Sequence, residues 1–280
     1  MDGIKNVFDT IAKSAEETAQ GRKEHLGADG LLVCDECGTP TECRVEVFGQ
    51  ERKVRCICKC DQARLDAEKR QKEQEQRRQR IERLRIQGFD RAEMQRWTFD
   101  TDDGQQPQVR QAMRVYADGF EGFRESGSGL LLYGSVGTGK TFAAACVANA
   151  LIDRGVPVLM TNFARIINRI QSSFEGRQEY LDSFSDFDLL IIDDLAAERQ
   201  TEFVNEIVYS VIDARYRTGL PMIITTNISA RDMERETDLA RQRIYSRILE
   251  RCHPIKVEGG DRRKKAMRDG FAEMQRRLGL

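Results

Sequence analysis

The run Gly134-Ser135-Val136-Gly137-Thr138-Gly139-Lys140-Thr141 fits G-x-x-x-x-G-K-[ST], the pattern of a phosphate-binding loop. Its three glycines let successive backbone N–H groups turn inward as an anion nest. Lys140 can reach the outer phosphates of a nucleoside triphosphate, and Thr141 can hold Mg²⁺. Downstream, Asp188-Leu189-Leu190-Ile191-Ile192-Asp193-Asp194 is an apolar run closed by two acids. In a parallel sheet that end faces the ligand crevice. Asp193 is placed to hold Mg²⁺, and Asp194 to orient or activate an attacking water. Asn227 closes a second apolar run, Pro221–Thr226, where an amide can bond the water or the γ-phosphate. Arg243 and Arg247 are four residues apart on an expected helix and share a face. They are either surface arginines or a guanidinium source for a neighbouring subunit's phosphates.

A different chemistry gathers near the N-terminus. Six of the eight cysteines lie between Cys34 and Cys60. Cys34-x-x-Cys37-Gly38 is a metal knuckle, and Cys56-x-Cys58-x-Cys60 follows after an expected hairpin, Glu42–Phe48 and Lys53–Cys58 joined at Gly49. Tetrahedral zinc takes four thiolates. Cys34 and Cys37 supply two; two of Cys56, Cys58 and Cys60 supply the others, since strand alternation puts all three on one side. Cys58 and Cys60 are favoured slightly, Cys56 stays open, and Cys43 is read as a bystander. A module of about 30 residues buries too little to fold unaided, so the metal supplies folding energy.

These groups need elements to hold them. Beyond Gly129 the chain alternates short continuous apolar runs with helical stretches: strands at Gly129–Tyr133, Val156–Thr161, Asp188–Ile192, Met222–Thr226 and Pro254–Val257, helices at Lys140–Asp153, Phe163–Phe174, Glu202–Tyr216, Leu239–Glu250 and Arg262–Leu278. That alternation predicts an α/β fold with a parallel sheet covered on both faces. One helix over Gln108–Arg124 leads in. Asp61–Gln87 reads as a polar helix; nine Lys/Arg face five Asp/Glu from Gln62 to Arg85. It is either a solvated helix or a surface for DNA or a partner. Ile4, Val7, Phe8 and Ile11 sit on one face of a short amphipathic helix. The expected division is 1–60, 61–96 and 97–280.

Composition narrows the class. Hydrophobic residues make up 40% and charged residues 32% of 280 residues, enough apolar content for a core. Forty-five Lys+Arg against 46 Asp+Glu leave a formal charge of −1, which excludes a uniformly basic coat. No apolar run approaches the roughly 20 residues of a membrane span, and Met1–Gln20 lacks a signal-peptide core. The expected compartment is therefore the reducing cytoplasm, where clustered cysteines read as metal ligands rather than disulfides.

The order of these motifs resembles the DnaC/DnaI-type helicase loaders within the AAA+ ATPases, in a phage- or prophage-like form with an N-terminal Cys module. Ser128–Thr141 is similar to the family's Walker A region, Asp188–Leu195 to Walker B, Ile223–Asn227 to the sensor I strand, and Arg243–Arg247 to box VII. The resemblance spans roughly Trp97–Lys265. It implies a P-loop AAA+ sheet with a reduced or absent helical lid, because few residues follow the last strand. It further implies ATP with Mg²⁺ at Gly134–Thr141 and Asp193, Asn227 as sensor I, Arg247 as the arginine finger, and Arg262 or Arg263 in a sensor II-like role. Asp194 stands where many members carry Glu, which implies slow turnover. The implied activity is ATP-dependent loading of a DnaB-type replicative helicase onto single-stranded DNA by a homo-oligomer. Transposition helper ATPases share the same core and are the rival, with a non-hydrolysing, ATP-gated adaptor as a third reading.

Overall fold

The computed structural model describes residues 23–47, 49–172, 176–197 and 201–279. The chain divides into two compact units, Met1–Arg78 and Gln79–Leu280, so the division falls inside one helix. The expected N-terminal amphipathic helix with Ile4, Val7, Phe8 and Ile11 lies outside the described residues.

In the first unit, β1 (Glu24–Leu26) pairs antiparallel with β2 (Leu32–Cys34), and β3 (Glu42–Val47) with β4 (Gln50–Arg55). The helix α1 (Lys59–Gly88) follows. Strand β4 stops at Arg55, earlier than expected. Cys56 and Cys58 lie in the connection between β4 and α1, and Cys60 already sits in the first turn of α1, so strand alternation does not govern these three thiols. The buried residues described here are Cys34, Cys58, Thr41 and Asp61. None is a large aliphatic or aromatic side chain, so these described residues supply little of the apolar burial that usually stabilises a domain.

The second unit begins on the C-terminal part of α1. Helices α2 (Pro107–Asp118) and α3 (Phe120–Ser126) replace the single expected helix. The break falls at Gly119, whose N–H caps α2 on the Val115 carbonyl. The rest runs β5 (Gly129–Tyr133), α4 (Lys140–Ile152), β6 (Val158–Asn162), α5 (Phe163–Ser172), α6 (Arg177–Asp182), β7 (Leu189–Leu195), α7 (Glu202–Thr218), β8 (Met222–Thr226), α8 (Ala230–Glu234), α9 (Leu239–Arg251), β9 (Cys252–Lys256) and α10 (Arg262–Leu278).

The five strands form one parallel sheet in the order β6-β7-β8-β5-β9. Strand residues alternate between two cores, as a two-residue period requires. Leu130, Leu132, Leu189, Ile191 and Ile223 join the core beneath α2 and α4. Leu131, Leu190, Ile192, Met222 and Ile224 join the core beneath α5, α7 and α9. Both faces are buried, which is why these strands read as unbroken apolar runs. Chain order reverses beside β5: the chain passes from β5 to the β6 edge and returns through β8 to β9. The crevice at that reversal, beyond the strand carboxyl ends, is where an open α/β sheet binds ligands.

Candidate nucleotide site and cysteine cluster

The phosphate loop leaves β5 and opens α4. Gly139 caps the helix with φ of 97°, a backbone conformation that disfavours a side chain. A Cβ on Gly134 would stand 2.3 Å from the Val257 carbonyl oxygen, so the loop passes too close to the chain beyond β9 for any other residue. Thr138 Oγ1 donates to the Ser135 carbonyl at 3.0 Å and ties the loop's two limbs. The buried Lys140 ammonium donates to the carbonyls of Gly134 (2.9 Å) and Ser135 (2.8 Å) and to Asn227 Oδ1 (2.9 Å). The loop thus offers backbone N–H groups, a helix N-terminus and one cation to an anion.

The paired acids behave differently from one another. Asp193 is 9% exposed, and its Oδ1 accepts from the hydroxyls of Thr141 (2.8 Å) and Thr225 (2.6 Å). Burial raises the Asp193 pKa above the usual carboxylate range, Thr225 opposes the shift, and the neighbouring Asp194 adds to it. Asp194 is exposed and adopts φ of 55°. The oxygens of Thr141 and Asp193 suit Mg²⁺, which would neutralise phosphate charge there. Asp194 borders the same cavity, of about 530 Å³, with Trp97, Val136, Gly137, Phe142 and Arg262 on its walls. Trp97 packs against Phe142 with ring centroids 6.0 Å apart.

Of the two sensor II-like candidates, Arg262 lines this cavity, donates its N–H to the Gly137 carbonyl and lies 3.3 Å from Asp103. The side chain of Arg263 lies outside the described residues. Arg243 is exposed on α9. Arg247, one turn on, is 25% exposed; its Nη2 lies 2.7 Å from Asp213 Oδ1 and its guanidinium stacks 4.5 Å over Tyr209.

The cysteines separate more sharply than the spacing suggested. Cys34, Cys37, Cys58 and Cys60 bring all four Sγ atoms within 4.8 Å of one another. Sγ separations are 3.4 Å for Cys34–Cys60, 3.1 Å for Cys58–Cys60 and 3.6 Å for Cys37–Cys60. Four thiolates at the usual zinc distance stand about 3.8 Å apart, so the donor set fits a tetrahedral zinc. Cys56 is not in this group; its Sγ–H donates to the Pro40 carbonyl at 3.6 Å. His25 is not in it either and bonds Asp35 at 2.6 Å.

Hydrogen bonds to the cluster's sulfurs set their proton affinity unequally. Thr39, 2.9 Å from Cys37 Sγ, is the first cause of a Cys37 pKa lowered to about 5. Contacts with Cys58 and Cys34 push that of Cys60 up. The N–H of Asp61 donates to Cys58 Sγ at 3.4 Å. Such bonds around a ligand sulfur orient it for a metal.

Sequence reasoning missed Thr225, Asp213, Trp97 and Thr39 as contributors. Only Thr225 carried a signal: a hydroxyl inside a central apolar strand must find a partner.

A model of the IstB-like ATP-binding proteins matches residues 62–270. Among curated relatives, the replicative helicase loader DnaI of Bacillus subtilis is 26% identical over 180 residues, 59% of this chain and 58% of that protein. The replicative helicase loader DnaC of Escherichia coli is 29% identical over 139 residues, 48% of this chain and 54% of that protein. The matches therefore span little more than half of either relative. A crystal structure of DnaI superposes with a TM-score of 0.53 at 26% identity, covering 64% of this chain and 99% of that one. With its phosphate loop, paired acids and parallel sheet of the AAA+ kind, the chain belongs to the IstB-like ATP-binding family.

Proposed function

We propose that this protein is an ATP-dependent replication factor of the cytoplasm that loads a DnaB-type replicative helicase onto single-stranded DNA. One observation carries the reading: two adjacent bonded pairs, Lys140 with Asn227 and Thr141 with Asp193, meet at the sheet's carboxyl end, in a chain whose relatives include replicative helicase loaders.

The phosphate loop from Gly134 to Thr141 binds ATP. Thr141 and Asp193 hold Mg²⁺, which offsets charge on the phosphates. Asp194 orients the attacking water, and its short side chain keeps hydrolysis to ADP and phosphate slow. Arg247 of a neighbouring copy completes the pocket in a homo-oligomer, steadying charge that develops on the transferred phosphoryl group. In this reading residues 97–280 form the ATPase domain, 61–96 link it, and 1–60 carry a zinc-bound module on Cys34, Cys37, Cys58 and Cys60 that grips the helicase.

The test uses the full chain: co-purification with a DnaB-type helicase, and ATP hydrolysis with and without single-stranded DNA. Helicase retention together with faster phosphate release on single-stranded DNA supports the reading. Stimulation by duplex DNA with a transposase, and no helicase retained, would assign the protein to transposition instead. Tight ATP binding with no phosphate release under any condition would make it an ATP-gated adaptor.

A further inference from the structure

Strands β7 and β8 pair Ile192 with Ile224, then Leu195 with Thr226. Three steps along β7 match two along β8, so β7 carries one extra residue at Asp193–Asp194. That is a β-bulge, a device that re-aims side chains beside a site and interrupts ladder pairing. Its cost is visible in Asp194, whose φ of 55° is uncommon for a residue other than glycine.

Thr225 stands opposite the bulge and is fully buried. Its hydroxyl accepts the Asp194 N–H at 2.9 Å and donates to Asp193 Oδ1 at 2.6 Å. A hydroxyl has one proton to give, and here it goes to the buried carboxylate; a lone pair receives the amide that the bulge displaces. The same Oδ1 takes the Thr141 hydroxyl at 2.8 Å. One side chain on the neighbouring strand thereby fixes both acids, one through its carboxylate and the other through its backbone.

We infer that Thr225 is a positioning residue of the ATPase site, its hydroxyl setting the Asp193 carboxylate for Mg²⁺ and holding the strained Asp194 backbone in place for the water. The inference rests on the ATPase reading and adds to it a residue that touches neither phosphate nor metal. Valine matches threonine in shape without the hydroxyl, and serine keeps the hydroxyl without the methyl.

The experiment compares Thr225→Val, Thr225→Ser and Thr225→Ala with the unsubstituted full chain. Two quantities are read: the affinity for a fluorescent ATP analogue in EDTA, and the Mg²⁺ concentration that half-saturates phosphate release. Groups that orient metal ligands typically matter by about 10–100-fold, so Thr225→Val and Thr225→Ala should need roughly that much more Mg²⁺ or lose that much turnover. Affinity in EDTA should stay within about twofold, and Thr225→Ser should recover most of both losses. Equal behaviour of the serine and alanine variants, or a valine variant with both wild-type Mg²⁺ dependence and wild-type turnover, would overturn the inference. If the valine variant does not fold, the serine–alanine comparison decides alone. Failure of the unsubstituted chain to bind ATP at all is a separate result and would remove the ATPase reading on which the inference stands.

Discussion

The Lys140 ammonium donates to Asn227 Oδ1 across 2.9 Å, joining the phosphate loop to the end of β8. Lys140 also donates to two carbonyls of its own loop, whereas Asn227 links the cation to another strand. Replacing Asn227 by Ala should leave ATP binding nearly intact and slow phosphate release by about 10²-fold, the scale of losing one preorganised polar group. Replacing Lys140 by Ala should abolish binding itself. Equilibrium binding of a fluorescent ATP analogue beside a phosphate-release assay separates the two. Equal loss of binding in both variants would show that Asn227 helps hold the nucleotide rather than the reacting end.

Arg247 makes a different prediction, because in the proposed reading it acts across a junction between subunits. Asp213 holds one end of its guanidinium, and Tyr209 packs against the flat face. This fixes the arginine on α9, well separated in chain order from its own phosphate loop. An arginine finger contributes about 10³–10⁵-fold in turnover. Arg247→Ala should lose a comparable factor while keeping ATP affinity. Mixing it with an Asp194→Asn chain should restore part of the rate, because one mixed junction then has every group. No recovery at any mixing ratio would rule out a trans-acting Arg247 and turn attention to the exposed Arg243.

The chain's one tryptophan borders the nucleotide cavity. Trp97 tilts against Phe142, the residue that follows the phosphate loop's threonine. A nucleotide entering this cavity changes the indole's surroundings, and no other tryptophan dilutes the signal. Intrinsic fluorescence should therefore shift on adding ATP with Mg²⁺, saturate with the binding curve, and vanish in Lys140→Ala. A signal that persists in Lys140→Ala would mean that Trp97 reports something other than occupancy of the phosphate loop.

What the sequence disclosed and what it withheld follow from the range of the interactions. The phosphate loop was readable because glycines, lysine and threonine act within eight consecutive residues between a strand and a helix. The sheet was readable because burial on both faces writes each strand as an apolar run. Thr225 and Asp213 were hidden because their partners lie 32 and 34 residues away along the chain, and only strand order and helix packing bring them together. The break at Gly119 was hidden because a glycine within a helical pattern is as often tolerated as not. Cys56 misled for a local reason: strand alternation applies only while the strand lasts, and β4 ends one residue before it.

That last point gives a test in metal content. Four sulfurs converge at Cys34, Cys37, Cys58 and Cys60, while Cys56 turns toward the Pro40 carbonyl. Among the described residues of the surrounding unit, Cys34 and Cys58 are buried and no large apolar side chain is, so a bound metal would be a principal source of their order. The purified protein should carry about one zinc per chain. Cys34→Ser and Cys58→Ser should lose it, and their N-terminal unit should become sensitive to protease, whereas Cys56→Ser should keep both zinc and resistance. ATP binding, which depends on the second unit, should survive in all three variants. Zinc loss in Cys56→Ser with retention in Cys58→Ser would mean that the sulfur set is assembled otherwise than the geometry here places it.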